Sequence, residues 1–424
     1  MNTKKAYLTI VAFAAALTAC GSGFGLYQPS AAAHALGGTG LGKAFDASAN
    51  FINPATLTDL TNAQVTIGFV TEHPRGRVEV NKVGQPEQRC TMDPGVFLLP
   101  HLQIALPLPA DFTFGFGVEP DYGLGTAYDD TWPMNFSATE TKIQSVVLNP
   151  NLAYKITEDW SIAAGPRFLY FEFEQYSRPH VSMGGLGNAT FGNRLRGDNE
   201  MKDVGWQVGT KYDITDTFSV GAVYKSWIDT HVRGKTSNTV IDPAAGDPGG
   251  VSAGAAAAAT GYASADITMP QSAAVGCNWD VAPTWHLGAM VSWTQWSEYD
   301  TLHFNLPVRD KYIPLDWRDT WRGAIGSCWD FAEDWKWMAS YTYDMDATTW
   351  TQTSVMLPPA DRHILGTGLS WNCWGGLELT LSYACIFMEG GDMTMTEDAT
   401  GDRWHLKTNW GFCHAAGFSV TYRF

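Results

Sequence analysis

From Trp285 onward every second residue is apolar or aromatic: Trp285, Leu287, Ala289, Val291 and Trp293, with His286, Gly288, Met290, Ser292 and Thr294 between them. The same alternation returns at Trp335, Trp337, Ala339, Tyr341 and Tyr343, and at Leu377, Leu379, Leu381 and Tyr383. It closes the chain with Phe412, Ala416, Phe418, Val420, Tyr422 and Phe424 against Ala415, Gly417, Ser419, Thr421 and Arg423. A period of two makes an extended chain apolar on one face and small or polar on the other. These runs last roughly seven to thirteen residues, beyond the usual five or six of a soluble strand, and that length suits a tilted membrane crossing.

About fourteen such segments are expected, near 64–74, 96–107, 111–120, 143–156, 160–174, 202–213, 217–232, 262–280, 284–299, 319–331, 334–346, 362–373, 376–389 and 410–424. Short turns at 108–110, 157–159, 214–216, 281–283, 332–333 and 374–375 alternate with much longer loops, among them the Gly/Ala-rich tract 242–261. Alternating short and long connections and an even strand count are the layout of an outer-membrane barrel. Trp160, Trp285, Trp335 and Trp371 sit beside the short turns, as an interfacial aromatic girdle would. The terminal Phe424 on an alternating strand resembles the outer-membrane assembly signal. The sequence therefore predicts an all-β fold, a transmembrane antiparallel barrel of about 14 strands.

Composition narrows the function. With 43 Asp+Glu against 27 Lys+Arg the net charge is −16, and no basic block is present, so nucleic acid is excluded as a partner. The aromatics and 45% apolar content exclude disorder, and a mean hydropathy of −0.14 excludes a helical membrane protein. Lys4 and Lys5 followed by the apolar stretch 7–17 read as an export signal over residues 1–19. Leu17-Thr18-Ala19-Cys20 resembles a lipobox, which would acylate Cys20; ordinary cleavage before a Cys is the other reading, and is favoured. The remaining six cysteines show no C-x-x-C or metal-like spacing and read as small wall residues. The one G-x-S-x-G spacing, Gly250-Val251-Ser252-Ala253-Gly254, lies in the Gly/Ala-rich loop and not on a strand-to-helix elbow, and no H-E-x-x-H motif is present, so no enzyme, cofactor or metal is expected.

Residues 20–62 do not alternate. Glycines and small residues dominate, then Asn53-Pro54-Ala55 follows, and Pro54 stops a strand from propagating. Either a disordered tail or a plug inside the barrel fits, the plug being the sharper expectation, with the barrel proper spanning 63–424.

Ser22-Gly23-Phe24, Gly40-Leu41-Gly42-Lys43-Ala44-Phe45 and Asn53-Pro54-Ala55 resemble the FadL/TodX family of outer-membrane transporters for long-chain fatty acids and other hydrophobic compounds. The segments 120–126, 150–155, 293–297 and 317–326 resemble further family segments in the same order. The resemblance implies an N-terminal hatch carrying Asn53, Pro54 and Ala55, and a pocket lined partly by it, with Phe24 among the ligand-contacting residues. It implies a kink in the third strand, where Gly123 and Gly125 would open a lateral exit. It also implies basic residues for a carboxylate: Arg318 first, Arg322 in phase with it, Lys311 at the mouth, and Arg167 facing the lumen, as Arg423 also should. Glu172 and Glu174 in the fifth strand depart from the family pattern; unless paired they would repel a carboxylate, which favours a neutral ligand such as an aromatic hydrocarbon.

The expected function is passive uptake of hydrophobic compounds, foremost long-chain fatty acids, across the bacterial outer membrane, with outer-membrane lipid, lipopolysaccharide and the assembly machinery as partners. Neutral aromatic hydrocarbons are the alternative cargo, and a general porin a further alternative.

Overall fold

Fourteen antiparallel strands close on themselves. The computed structural model describes residues 23–348, 355, 360–397, 399–409 and 411–424; the export-signal residues and Cys20 lie outside them. In chain order the barrel strands are β1 (Gln64–Lys82), β2 (Phe97–Pro107), β3 (Phe112–Glu119), β4 (Glu140–Lys155), β5 (Trp160–Ser177), β6 (Asp203–Thr215) and β7 (Phe218–Lys225). They continue as β8 (Ser272–Ala282), β9 (Trp285–Thr294), β10 (Thr320–Ala332), β11 (Trp335–Asp344), β12 (Arg362–Trp374), β13 (Leu377–Met388) and β14 (Gly411–Arg423). Each pairs with its sequence neighbour, and β14 returns to β1 from Gln64↔Arg423 to Arg75↔Phe412, so no edge is left open. Each of the fourteen strands overlaps its expected segment, but β1 runs on to Lys82, β4 begins at Glu140, the expected 217–232 and 262–280 each break into two strands, and β9 stops at Thr294, short of the expected 299.

The alternation sets the faces. Trp206, Trp279, Val291, Trp321, Ile325, Leu381 and Phe412 are exposed on the outer, lipid-facing wall, while Gln103, Asn151, Thr380, Ser419 and Thr421 are buried inside. Trp160, Trp285 and Trp371 lie exposed at the short-turn rim, and Trp335 stacks on Trp371 at 5.5 Å. At the opposite rim, further strands extend the sheet over 180–182, 188–198, 228–242 and 261–269, and the Gly/Ala-rich loop folds into a helix over Val251–Ala258.

Residues 23–60 fill the lumen rather than trailing from it. Two short helices, α1 (Ala31–Ala35) and α2 (Ala49–Ile52), precede a 3-10 turn over Pro54–Asp59. Ser30 caps α1 through its side chain, and Asn53 caps the turn by accepting from the Ala55 amide at 3.2 Å, with Pro54 at the first position where a missing N–H costs nothing. The segment is bonded to the wall along its length. The Ala31 amide donates to Ser419 Oγ at 2.8 Å, and His34 Nδ1 meets Ser382 Oγ at 3.0 Å. Gly42 donates to Asn278, Asn50 exchanges bonds with Asn149 and Asn151, and Asn53 Nδ2 donates to Leu41 O and Thr210 O. Lys43 with Asp280 at 2.6 Å and Lys211 with Asp59 add ion pairs near the turn side. Gly221 lets the segment approach: a Cβ there would collide with the Leu41 carbonyl.

Candidate ligand-binding site

The third strand breaks. β3 ends at Glu119, and a continuation over Gly123–Ala127 resumes pairing with β4. Between them, residues 120–122 leave the ladder, and Ser145 of β4 holds the bend by accepting from the Tyr122 amide and donating to the Tyr122 carbonyl, both at 2.8 Å. Gly123 and Gly125 thus lie just past the break and are buried. The N-terminal segment pairs there instead: Gly123 donates to Phe24 O at 2.8 Å, Leu26 donates to Asp121 O at 2.8 Å, and Gly25 bridges Tyr122.

Above this junction an apolar cleft encloses about 520 Å³, counting its open mouth. Phe24, Leu124, Ile143, Phe173, Phe304 and Trp317 form much of its wall, with Thr141, Tyr299 and Thr348 contributing hydroxyls and no charged side chain among the described residues. Its apolar lining is that of a small-molecule site, although the space left free for solvent is only about 40 Å³ with Phe24 in place. Phe24 packs edge-on against Trp296 at 4.7 Å and Tyr299 at 5.2 Å, with Tyr122 and Trp317 each at 5.9 Å. The aromatic shell of Trp296, Tyr299 and Trp317 comes from the loop between β9 and β10: β9 ends at Thr294, so Trp296 and Tyr299 leave the expected 284–299 segment and its phase, and none of the three was expected as a ligand wall.

The basic residues fall in separate places. Arg167 points inward, is 1% exposed and is ion-paired with Asp121 at the break. Glu119, bonded to Gln103 at 2.8 Å, and the half-buried Lys225, 3.3 Å over the Phe51 ring of α2, complete a group of two acids and two bases. Arg322 is also buried inside: Nη2 donates to Gly37 O at 2.9 Å and the guanidinium stacks on Tyr27 at 4.6 Å. Arg318 differs from the expected phase. It precedes β10, so the alternation that turns Arg322 inward does not govern it, and its side chain is exposed, with Nε donating to Asp346 O at 3.1 Å. Lys311 is exposed on a hairpin of the same loop. Arg423 faces inward and bonds Glu378 at 3.1 Å.

Glu172 and Glu174 are corrected. Phe171 and Phe173 are the inward residues of β5, and the two acids lie on the other face, paired with Arg196 at 2.7 Å and Arg194 at 2.5 Å. They do not oppose a carboxylate in the lumen. Arg362 was missed altogether: it opens β12, is 2% exposed and faces Asp344 across the ladder.

The chain matches the family described as "Outer membrane protein transport protein (OMPP1/FadL/TodX)" over residues 11–424. It is 23% identical over 417 residues to the long-chain fatty acid transport protein of Salmonella typhi, covering 88% of this chain and 92% of that one. It is 21% identical over 424 residues to outer membrane protein P1 of Haemophilus influenzae, covering 88% of each. Among solved structures, a Pseudomonas aeruginosa FadL homologue superposes with a TM-score of 0.83 at 20% identity, covering 95% of this chain and 99% of that one. The Pseudomonas putida toluene transporter TodX superposes at 0.68 and 16%, covering 94% and 99%. The chain therefore belongs to the OMPP1/FadL/TodX family of outer-membrane β-barrels that transport hydrophobic compounds.

Proposed function

We propose that this protein carries long-chain fatty acids passively across the outer membrane, through a barrel plugged by residues 23–60 and out through the break in β3. The carrying observation is the placement of the apolar cleft directly above a break that the Phe24–Leu26 backbone fills. A molecule in the cleft competes with Phe24 for the same aromatic shell. Displacing Phe24 removes the partner of Gly123, and the wall is then unpaired where the strand already bends. Asn53, Pro54 and Ala55 would hold the plug's turn-side end in place meanwhile. The fatty-acid reading draws on relatives named as long-chain fatty acid transport proteins and on buried arginines near an apolar cleft. No catalytic step is involved.

A neutral aromatic hydrocarbon is the second reading, favoured by the uncharged cleft lining. Titrating the purified protein with oleate and with toluene, while recording conductance in a planar bilayer, separates these. Saturable oleate binding with small conductance supports the fatty-acid reading; saturable toluene binding alone supports the second. Large steady conductance without either would leave a porin.

A further inference from the structure

On the outer face of the sheet, beyond the rim opposite the short turns, cations gather on two neighbouring strands. Arg194 and Arg196 of the strand Asn188–Asp198 flank the inward Leu195, and Arg233 and Lys235 of the strand Ile228–Asp242 lie between the inward Val232 and Thr236. Arg196 stands directly opposite Lys235 in the antiparallel register. Like charges so placed have Cβ atoms about 4.5–5.5 Å apart and repel.

Glu174 and Glu172 of β5 hold Arg194 and Arg196, and also accept from the hydroxyls of Tyr176 and Tyr170 at 2.9 and 3.2 Å. The two acid side chains are 17% and 16% exposed and the arginines above them 46% and 57%, so the surface presents the cations. Arg233 and Lys235 are exposed and form no ion pair among the described residues. Lys142 of β4, opposite Glu174, adds a fifth cation. Asp198, opposite Arg233, and Glu140, opposite Tyr176 at the patch edge, are the further acids; His231 and Asp266, one step lower, pair with each other at 2.7 Å.

Height decides what meets this patch. β5 starts at Trp160 in the short-turn girdle and reaches Glu174 14 residues later. At about 3.3 Å per residue and a tilt near 45°, that is a climb of roughly 33 Å, past an apolar band about 25 Å tall. Trp206 of β6 and Trp227, just after β7, are exposed on the wall below the cations, as a second aromatic girdle would be. The wall above that girdle borders the phosphate and sugar layer of the outer leaflet. Guanidinium groups bind phosphate oxygens in pairs.

We propose that Arg194, Arg196, Arg233 and Lys235, with Lys142, dock the phosphorylated glucosamine head of lipopolysaccharide, its acyl chains lying down the apolar wall beneath. A phosphate between Arg196 and Lys235 relieves their repulsion and gives Arg233 and Lys235 the partners that the sheet does not. The site lies outside the barrel and does not depend on which cargo passes through it.

The test titrates full-length protein in detergent with bisphosphorylated lipid A, with phosphate-free lipid A and with phosphatidylglycerol, bound lipid being counted by native mass spectrometry. Wild type is expected to hold the bisphosphorylated form about tenfold or more tighter than the other two. Arg233→Gln/Lys235→Gln, which leaves the pairs of Glu172 and Glu174 intact, should erase that margin, whereas Arg233→Lys/Lys235→Arg should keep it. Added salt should narrow the margin in wild type more than in the Gln variant. Heat-modified mobility on gels reports folding, and either single substitution serves if the double variant does not fold. Equal binding of bisphosphorylated and phosphate-free lipid A, or a margin that survives the Gln substitutions, overturns the site. Phosphatidylglycerol held as tightly as bisphosphorylated lipid A overturns lipopolysaccharide as its occupant.

Discussion

The amide of Gly123 donates to the carbonyl of Phe24 at 2.8 Å, so the N-terminal segment supplies strand pairing where the third strand has lost its own. One residue thereby serves two contacts: the Phe24 backbone seals the break and its ring fills the aromatic shell beneath the cleft. Phe24→Ala keeps the backbone bond but removes the anchor, a change costing about 3–5 kcal/mol where a buried aromatic is lost. Faster amide exchange is expected across residues 24–28, read by hydrogen–deuterium exchange, with the barrel strands unchanged.

At the same break, Asp121 and Arg167 are both buried and paired. Asp121→Asn strands a guanidinium in the wall, so loss of stability of about 3–5 kcal/mol is expected in urea unfolding. Combining it with Arg167→Gln should recover part of that loss, because no uncompensated charge then remains.

The plug depends on one close approach at β7. Gly221→Ala places a methyl against the Leu41 carbonyl and 2.8 Å from Asn53 Nδ2. The segment around Leu41 and Asn53 must shift, and higher bilayer conductance than wild type is expected. Asn53→Ala, which loses the bonds to Leu41 O and Thr210 O, should act in the same direction.

In the loop between β7 and β8, Asp247 accepts from the amides of Ser252, Gly249, Gly250 and Val251. These bonds, the Ser252 amide foremost, hold its carboxyl well below the usual carboxylate range. A lowered folded-state value means the stabilisation is present above the ordinary carboxylate range and is lost only as pH falls through that lower value. The helix over Val251–Ala258 should thus keep its exchange protection in mild acid, and Asp247→Ala should remove it at neutral pH.

Alternation alone made the barrel legible, because a period of two survives whatever the loops do. It also carried more than was drawn from it: with Arg167 inward, the same period places Phe171 and Phe173 inward and Glu172 and Glu174 outward, as the structure has them. The cleft was less legible. Trp296 and Tyr299 lie at the end of the expected 284–299 segment, but β9 stops at Thr294, and they reach the cleft with Trp317 from a loop that the strand phase does not govern. Arg318 was misplaced for the same reason, since it precedes the strand whose phase was extended to it. Arg362 was within reach, being in step with the inward Gly366, Gly368 and Ser370 of β12, but no charge partner in the sequence marked it.

Whether the N-terminal segment must leave the break for cargo to pass is tested by stapling it there. Gly25 and Tyr122 face each other as an antiparallel bridge, whose Cα separation of about 4.5–5.5 Å suits a disulfide. In Gly25→Cys/Tyr122→Cys protein, with the bond verified by mass spectrometry, oleate uptake into cells expressing it should stop under oxidising conditions and return on reduction. Uptake at the same rate with the staple closed would contradict exit through the third strand.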